Sequence, residues 1–287
     1  MDRCGLYIAG NNGICHHLFG GSTLENIELT KIDYMNNLKG LFLCLVFIMP
    51  SIGFGQKILT DRPDQTESSS TVPKKSLQIE SGLLLKFAEE GDLSVREFAI
   101  PTTLFRYGIT NGIELRVSNQ YINIKEKNTS NEISGISDLE IGTKVRIYKK
   151  EDSKTEIAFL SHLVLPTGTK EVSFEKVGTI NKLAVSHELS DHIGLGYNVG
   201  YSYLGFDNGF FTYSLALGIG VTEKVGMYVE VYGNIGLLDE HLTNMDAGIT
   251  YLLKDNFQLD FSFGTGINYT MNYLSAGFSW NIAPKTN

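Results

Sequence analysis

Ser186-His187, Asp191-His192 and His162 supply every residue type that a serine hydrolase uses. Their spacing denies them the chemistry. The segment 176–188 alternates apolar and polar residues, and His187 shares one side with Leu183, Val185 and Leu189 while Ser186 faces the other. Neighbouring strand residues point to opposite faces, so Ser186 and His187 form no nucleophile–base pair without a bulge. An interfacial histidine and two turn residues are the plainer reading, with no catalytic residue and no enzyme. Metal chemistry fares no better. Cys15, His16 and His17 lack a fourth ligand or a paired spacing, and the four histidines beyond residue 55 are scattered. Asp239 and Glu240 offer loop carboxylates for calcium with nothing else around them. No glycine-rich strand-to-helix loop exists for a nucleotide, so no cofactor and no metal is expected.

A second set of charged residues is spaced differently. Lys86, Glu114, Arg116, Lys144, Arg146, Lys182, Glu230 and Asp260 each sit on the polar side of an alternating segment. In 257–267, Phe257, Leu259, Phe261, Phe263 and Ile267 share one face, and Gln258, Asp260, Ser262, Gly264 and Gly266 the other. The same period of two runs through 193–203, 211–221 and 273–282, and such a period marks strands rather than helices. Twelve segments carry it, near 77–87, 94–107, 111–121, 138–148, 154–165, 176–188, 192–204, 209–221, 225–236, 243–252, 256–266 and 272–282.

A sheet with one apolar and one polar face either packs in a sandwich or closes into a barrel that turns its apolar face to lipid. Strands of this length match the ~9–11 residues that cross a tilted bilayer and exceed the ~5–6 of a sandwich. The count is even, and the polar face is rich in Gly, Ser, Thr and Asn. Aromatics gather near strand ends at Phe87, Tyr107, Tyr121, Tyr148, Tyr203, Phe206, Phe210, Phe211, Tyr269, Tyr273 and Trp280, where interfacial girdles need them. The expectation is an all-β, antiparallel transmembrane barrel of about 12 strands. Its extracellular connections fall at 88–93, 122–137, 166–175, 205–208, 237–242 and 267–271. Twelve strands ~4.8 Å apart and tilted ~40° close at a backbone radius of roughly 12 Å, leaving a narrow polar lumen lined by the eight charged residues above.

The amino-terminal region follows another logic. All three cysteines of the 287 residues, Cys4, Cys15 and Cys44, precede residue 45. Lys39, the apolar core Leu41–Met49, Pro50 and Gly53-Phe54-Gly55 have the layout of a secretory signal peptide, assigned to 35–55. Residues 1–34 then read as an over-extended, unstructured start, with Met35 the true one. A mature chain from Gln56 keeps 21 basic and 28 acidic residues and no cysteine, so it is exported without depending on disulfides. A mean hydropathy of −0.04 excludes a bundle of membrane helices and fits strands with two unlike faces. The acidic balance gives no reason to expect nucleic acid.

Residues 56–76 form a polar leader with Thr60-Asp61-Arg62-Pro63-Asp64-Gln65-Thr66-Glu67-Ser68 at its heart, then Val72-Pro73, before Leu77-Gln78-Ile79-Glu80-Ser81-Gly82 opens the first long strand at 77 of 77–287. This wording resembles the Bacteroidetes-type family of outer-membrane β-barrel transporters called the MetA-pathway of phenol degradation family. The resemblance runs from about Leu59 to the C-terminus and is most specific in the leader. It implies an outer-membrane channel for small, apolar or aromatic molecules in a Gram-negative bacterium. Asp61, Arg62, Asp64 and Glu67 could pair with lumen residues such as Arg116 or Lys86 and make the leader a plug or gate; a solvated tether is the alternative. The function expected is passive or gated uptake of a small-molecule solute. A structural or surface-binding barrel acting through loops 122–137 and 166–175 is the runner-up, and a lipid hydrolase is third. The partners expected are outer-membrane lipid and the outer-membrane assembly machinery, with the oligomeric state open.

Overall fold

Alternation of apolar and polar residues leaves each strand with one face that water rejects and one that lipid rejects, and a closed cylinder satisfies both. The computed structural model describes residues 5–9, 15–20 and 58–282, apart from 92, 128, 130, 206–207 and 237–240. The expected signal segment 35–55, the first two leader residues, Phe206, Asp239 and Glu240 lie outside the described residues. Within the stretch expected to carry no structure, Gly5–Ala9 (β1) and Cys15–Gly20 (β2) pair as a separate antiparallel hairpin.

The barrel is built from Leu77–Glu90 (β3), Leu93–Thr110 (β4), Ile113–Glu126 (β5), Glu132–Ile136 (β6), Leu139–Lys149 (β7), Thr155–Leu165 (β8), Gly178–Ser190 (β9) and Ile193–Tyr203 (β10). Phe210–Gly220 (β11), Val225–Gly236 (β12), His241–Lys254 (β13), Phe257–Gly266 (β14) and Thr270–Ile282 (β15) complete it. Each strand pairs antiparallel with its neighbours, and β15 returns to pair with β3 from Thr270↔Glu89 to Ile282↔Leu77. β6 and β7 pair in succession with the two ends of β5 and together make one wall strand, so the barrel has the twelve strands expected. The break between them at Ser137-Asp138 has a use. Asp138 accepts bonds from Gly168 N, Ser173 Oγ and Phe174 N, which pins the long 166–177 connection to the wall.

Both barrel termini lie at one end, joined by the short connections 111–112, 150–154, 191–192, 221–224 and 255–256. The opposite end holds 166–177 and 204–209, as the periplasmic and extracellular rims of such barrels require. Two of the expected extracellular loops are shorter than the sequence suggested. Strand β5 runs on to Glu126 and β6 starts at Glu132, so 122–137 is mostly strand; β3 and β4 leave only 91–92 between them. Polar residues such as Asn123 and Lys125 hid this, because Ile122 and Ile124 alternate with them and face inward instead of toward lipid.

The molecule is inverted relative to a soluble domain. Phe159, Val199, Phe211, Leu215, Phe261, Phe263 and Leu274 are exposed on the outer surface, while Gln78, Glu80, Arg106, Glu114, Arg116, Lys144 and Gln258 are buried inside. Of the expected girdle aromatics, Phe87, Tyr107, Tyr121, Tyr203, Phe211 and Trp280 are exposed as required. Tyr273 is a correction. It faces the interior, buried, with its hydroxyl donating to Asp246. Tyr269 and Phe210 likewise pack against inner apolar groups.

Candidate functional site

The inner wall between the periplasmic rim and mid-barrel carries charge because every second residue there is polar and no lipid contacts it. A bulge in β4 at Ile100-Pro101 shifts the pattern: Ala99 and Glu97 above it and Thr102 and Arg106 below it all face the lumen. Pro101 tolerates the bulge because a bulged residue need not donate to the ladder.

The leader, Ile58 to Ser76, lies inside this wall. Its two ends stay at the periplasmic rim, where Gln78 Nε2 donates to Leu59 O and Lys75 N donates to Gly108 O. Between them the chain bonds to nearly every strand. The Asp61 carboxylate receives Arg116 Nη1 at 2.6 Å, Lys144 Nζ at 2.9 Å and Arg106 Nη1 at 3.3 Å, and Asp61 N donates to Glu80. Arg62 turns the other way. Its Nη2 donates to Asp260 Oδ1 at 2.9 Å and to Ser275 Oγ, and Nη1 reaches Thr102. Gly82 and Gly277, a cross-strand pair, leave the floor on which this guanidinium rests; a Cβ on either would strike it.

Further along, Gln65 N donates to Glu230 at 2.7 Å and Thr66 Oγ1 bonds both Glu230 and Ser214. Glu67 accepts Arg116 Nη2 at 2.7 Å and stands 3.9 Å from Lys182, while Glu67 N donates to Asn198. Ser70 Oγ donates to Glu156, Arg146 Nη2 donates to Thr71 Oγ1, and Val72 N donates to Glu114. These contacts touch eleven of the twelve wall strands, all but β13. One cavity beside the leader, lined by Arg62, Asp64, Glu80 and Thr102, has about 20 Å³, room for a water molecule.

The two leader aspartates are held in opposite protonation regimes. Burial pushes the Asp61 carboxyl up, but Arg106, Lys144 and Arg116 outweigh it and hold it well below the usual carboxylate range. Asp64 is pushed well above that range by burial and then by the nearby Glu230 and Asp246. Beyond the leader, Arg116 Nε donates to His162 Nε2 at 2.9 Å. Arginine has no acceptor, so this bond fixes His162 as the neutral tautomer, whose Nδ1–H donates to Glu140.

The eight expected lumen residues all face inward, but they do different things. Glu114, Arg116, Lys144, Lys182, Glu230 and Asp260 meet the leader, and Arg146 bridges Thr71 and Glu156. Lys86 pairs with Glu97 across the strands at 2.7 Å, higher in the barrel. Asp61, Arg62 and Glu67 converge on the wall as a set, and Asp64 stands near its acidic side. Sequence reading missed Arg106, Glu80, Asp246 and Glu156. The parity of Gln78, Glu80 and Gly82 pointed to Glu80, whereas the β4 bulge concealed Arg106. Ser186 and His187 sit on opposite faces, His187 bonding Thr155 and Tyr197 on the outside. Toward the extracellular end apolar residues enter the lining: Leu84, Val95, Ile122, Ile124 and Met271 cluster on one side around the Lys86–Glu97 pair, and Val164, Ile180 and Leu204 on the other.

Closed strands, a lipid-compatible exterior and an ion-paired interior define an outer-membrane β-barrel. The chain belongs to the family described as "Putative MetA-pathway of phenol degradation", which matches residues 60–282 and so spans the leader motif and the whole barrel. Among solved structures it is similar to the COG4313 outer membrane channel from Pseudomonas putida F1, with 10% identity and a TM-score of 0.66 over 75% of this chain and 98% of that one. The KdgM porin in complex with disordered oligogalacturonate is also similar, at 11% identity and a TM-score of 0.49 over 72% and 99% of the two chains. No curated protein matches the chain in sequence.

Proposed function

We propose that this protein is a gated outer-membrane channel for small molecules, in which the leader closes the bore at rest and solute passes when it withdraws. The observation that carries the reading is the leader's set of bonds to eleven wall strands. A solvated tether would have no reason to satisfy Asp61, Arg62 and Glu67 on buried wall charges. Breaking such pairs one partner at a time costs about 3–5 kcal/mol each when the remaining charge stays buried, so the closed state dominates until something compensates those charges. The apolar clusters above the leader support solutes with a small apolar or aromatic body, the class that the family's description suggests. Export by the segment 35–55, maturation at Gln56, lipid and assembly-machinery partners and a Bacteroidetes-type source belong to the same proposal, and Edman sequencing of the mature protein checks the cleavage site.

The test is conductance in planar bilayers with and without residues 56–76. The full chain should be mostly closed with brief openings, and the shortened chain steadily open. Equal, tight closure of both would sink the reading.

A further inference from the structure

Two of the leader's three carboxylates, Asp61 and Glu67, occupy a site that has a chemistry of its own. Arg106, Arg116, Lys144 and Lys182 are buried on adjoining parts of the wall. The carboxylates in contact with them are Glu80 and Glu114 from the wall, and Asp61 and Glu67 from the leader. Two further wall carboxylates are paired elsewhere, Glu140 with His162 and Glu156 with Arg146 and Lys149. When the leader leaves, four buried cations face two carboxylates, and that imbalance must be met by anions from solution. The geometry is closely specified. Asp61 and Glu67 bind the two terminal nitrogens of one guanidinium, Arg116, at 2.6 and 2.7 Å, so their carboxylates lie side by side. A short molecule carrying two carboxylates spans that separation without a protein backbone between them.

Resting on the channel reading above, we propose that the Arg106–Arg116–Lys144–Lys182 wall is a binding site for small dicarboxylates, and that Asp61 and Glu67 are a tethered competitor for it. The solute that binds opens its own path. Arg62 is satisfied separately, by Asp260 on β14, and takes no part in the site.

The experiment uses the full chain in detergent with Ser68→Cys as a reporter of leader release. Ser68 N donates to Asp61 and Ser68 O accepts Lys144, so residue 68 is freed when the site is taken. Maleimide labelling at residue 68 is followed by peptide mass spectrometry in succinate, in succinamide (its uncharged isostere) and in sodium chloride, at matched ionic strength. Succinate should accelerate labelling by roughly tenfold, equivalent to about 1.4 kcal/mol, with succinamide and chloride without effect. A chain that also carries Asp61→Asn and Glu67→Gln should label fast without succinate, its barrel being checked by heat-modifiable gel mobility. Equal rates in succinate and succinamide overturn the proposal, as does slow labelling of the doubly neutralised chain. Liposome flux separates the two readings: faster labelling in succinate without flux supports this site while the channel fails, and flux with no succinate effect on labelling overturns the site while the channel stands.

Discussion

Asp61 and Asp64, three residues apart in the leader, respond to pH with opposite signs. Asp61 is an acid held below its ordinary range, so its contribution to docking is complete above that range and is lost as pH falls through the lowered value. Asp64 is held above, so docking prefers its protonated form and weakens as pH rises from the ordinary carboxylate range through the raised value. Leader amides bonded to the wall, at Asp61, Gln65, Glu67 and Val72, should therefore show their greatest protection, relative to the intrinsic exchange rate at each pH, near the ordinary carboxylate range. Asp64→Asn should abolish the alkaline loss of protection and leave the acid limb intact; an unchanged alkaline limb would remove Asp64 from the account. Arg106 meets Asp61, Glu80 and Glu114 while fully buried, so Arg106→Met should loosen docking by about 3–5 kcal/mol, read as faster exchange of the same amides. Arg116, Lys144 and Glu67 were legible in the sequence because strict alternation assigns a face to each residue. Their partners were not, since parity tells which side a residue faces and not at what height or against which leader atom it ends.

At the level of strands, the cross-strand glycines 82 and 277 do something that no alternation pattern distinguishes from ordinary room-making. They form a side-chain-free floor at the β3–β15 seam where Arg62 lies flat. Gly277→Val should press on the Arg62 guanidinium and on Ser81 O of the facing strand together, seen as sustained conductance and a smaller fraction of chain in the heat-modifiable folded form. The outer face has the reverse requirement. Phe261→Arg, on the lipid side of β14, should cost about 2–4 kcal/mol and lower the fraction of chain in the heat-modifiable folded form. Strand number and lengths could be read from the sequence because a bilayer demands both faces of every strand. Where that demand lapses, as at Ile122 and Ile124 above the leader or at the Ile100-Pro101 bulge, the reading slipped as well.

For the whole molecule, near-zero mean hydropathy, abundant glycine and a polar interior are one arrangement: a cylinder whose solvent is lipid outside and a segment of its own chain inside. Removing the leader thus exposes unpaired charge rather than an empty polar tube, and the shortened barrel should lose stability at low ionic strength and regain it as salt supplies counter-ions, measured by its melting on gels. The path of the leader adds a mechanical consequence. Both of its ends return to the periplasmic rim, and its contacts with the wall follow one another along the chain from Leu59 onward. A pull applied at the N-terminal side from the periplasm loads these contacts in series, like a zipper, and not all together as pressure from outside would. The barrel is accordingly weak toward traction from within the cell and strong toward push from the medium.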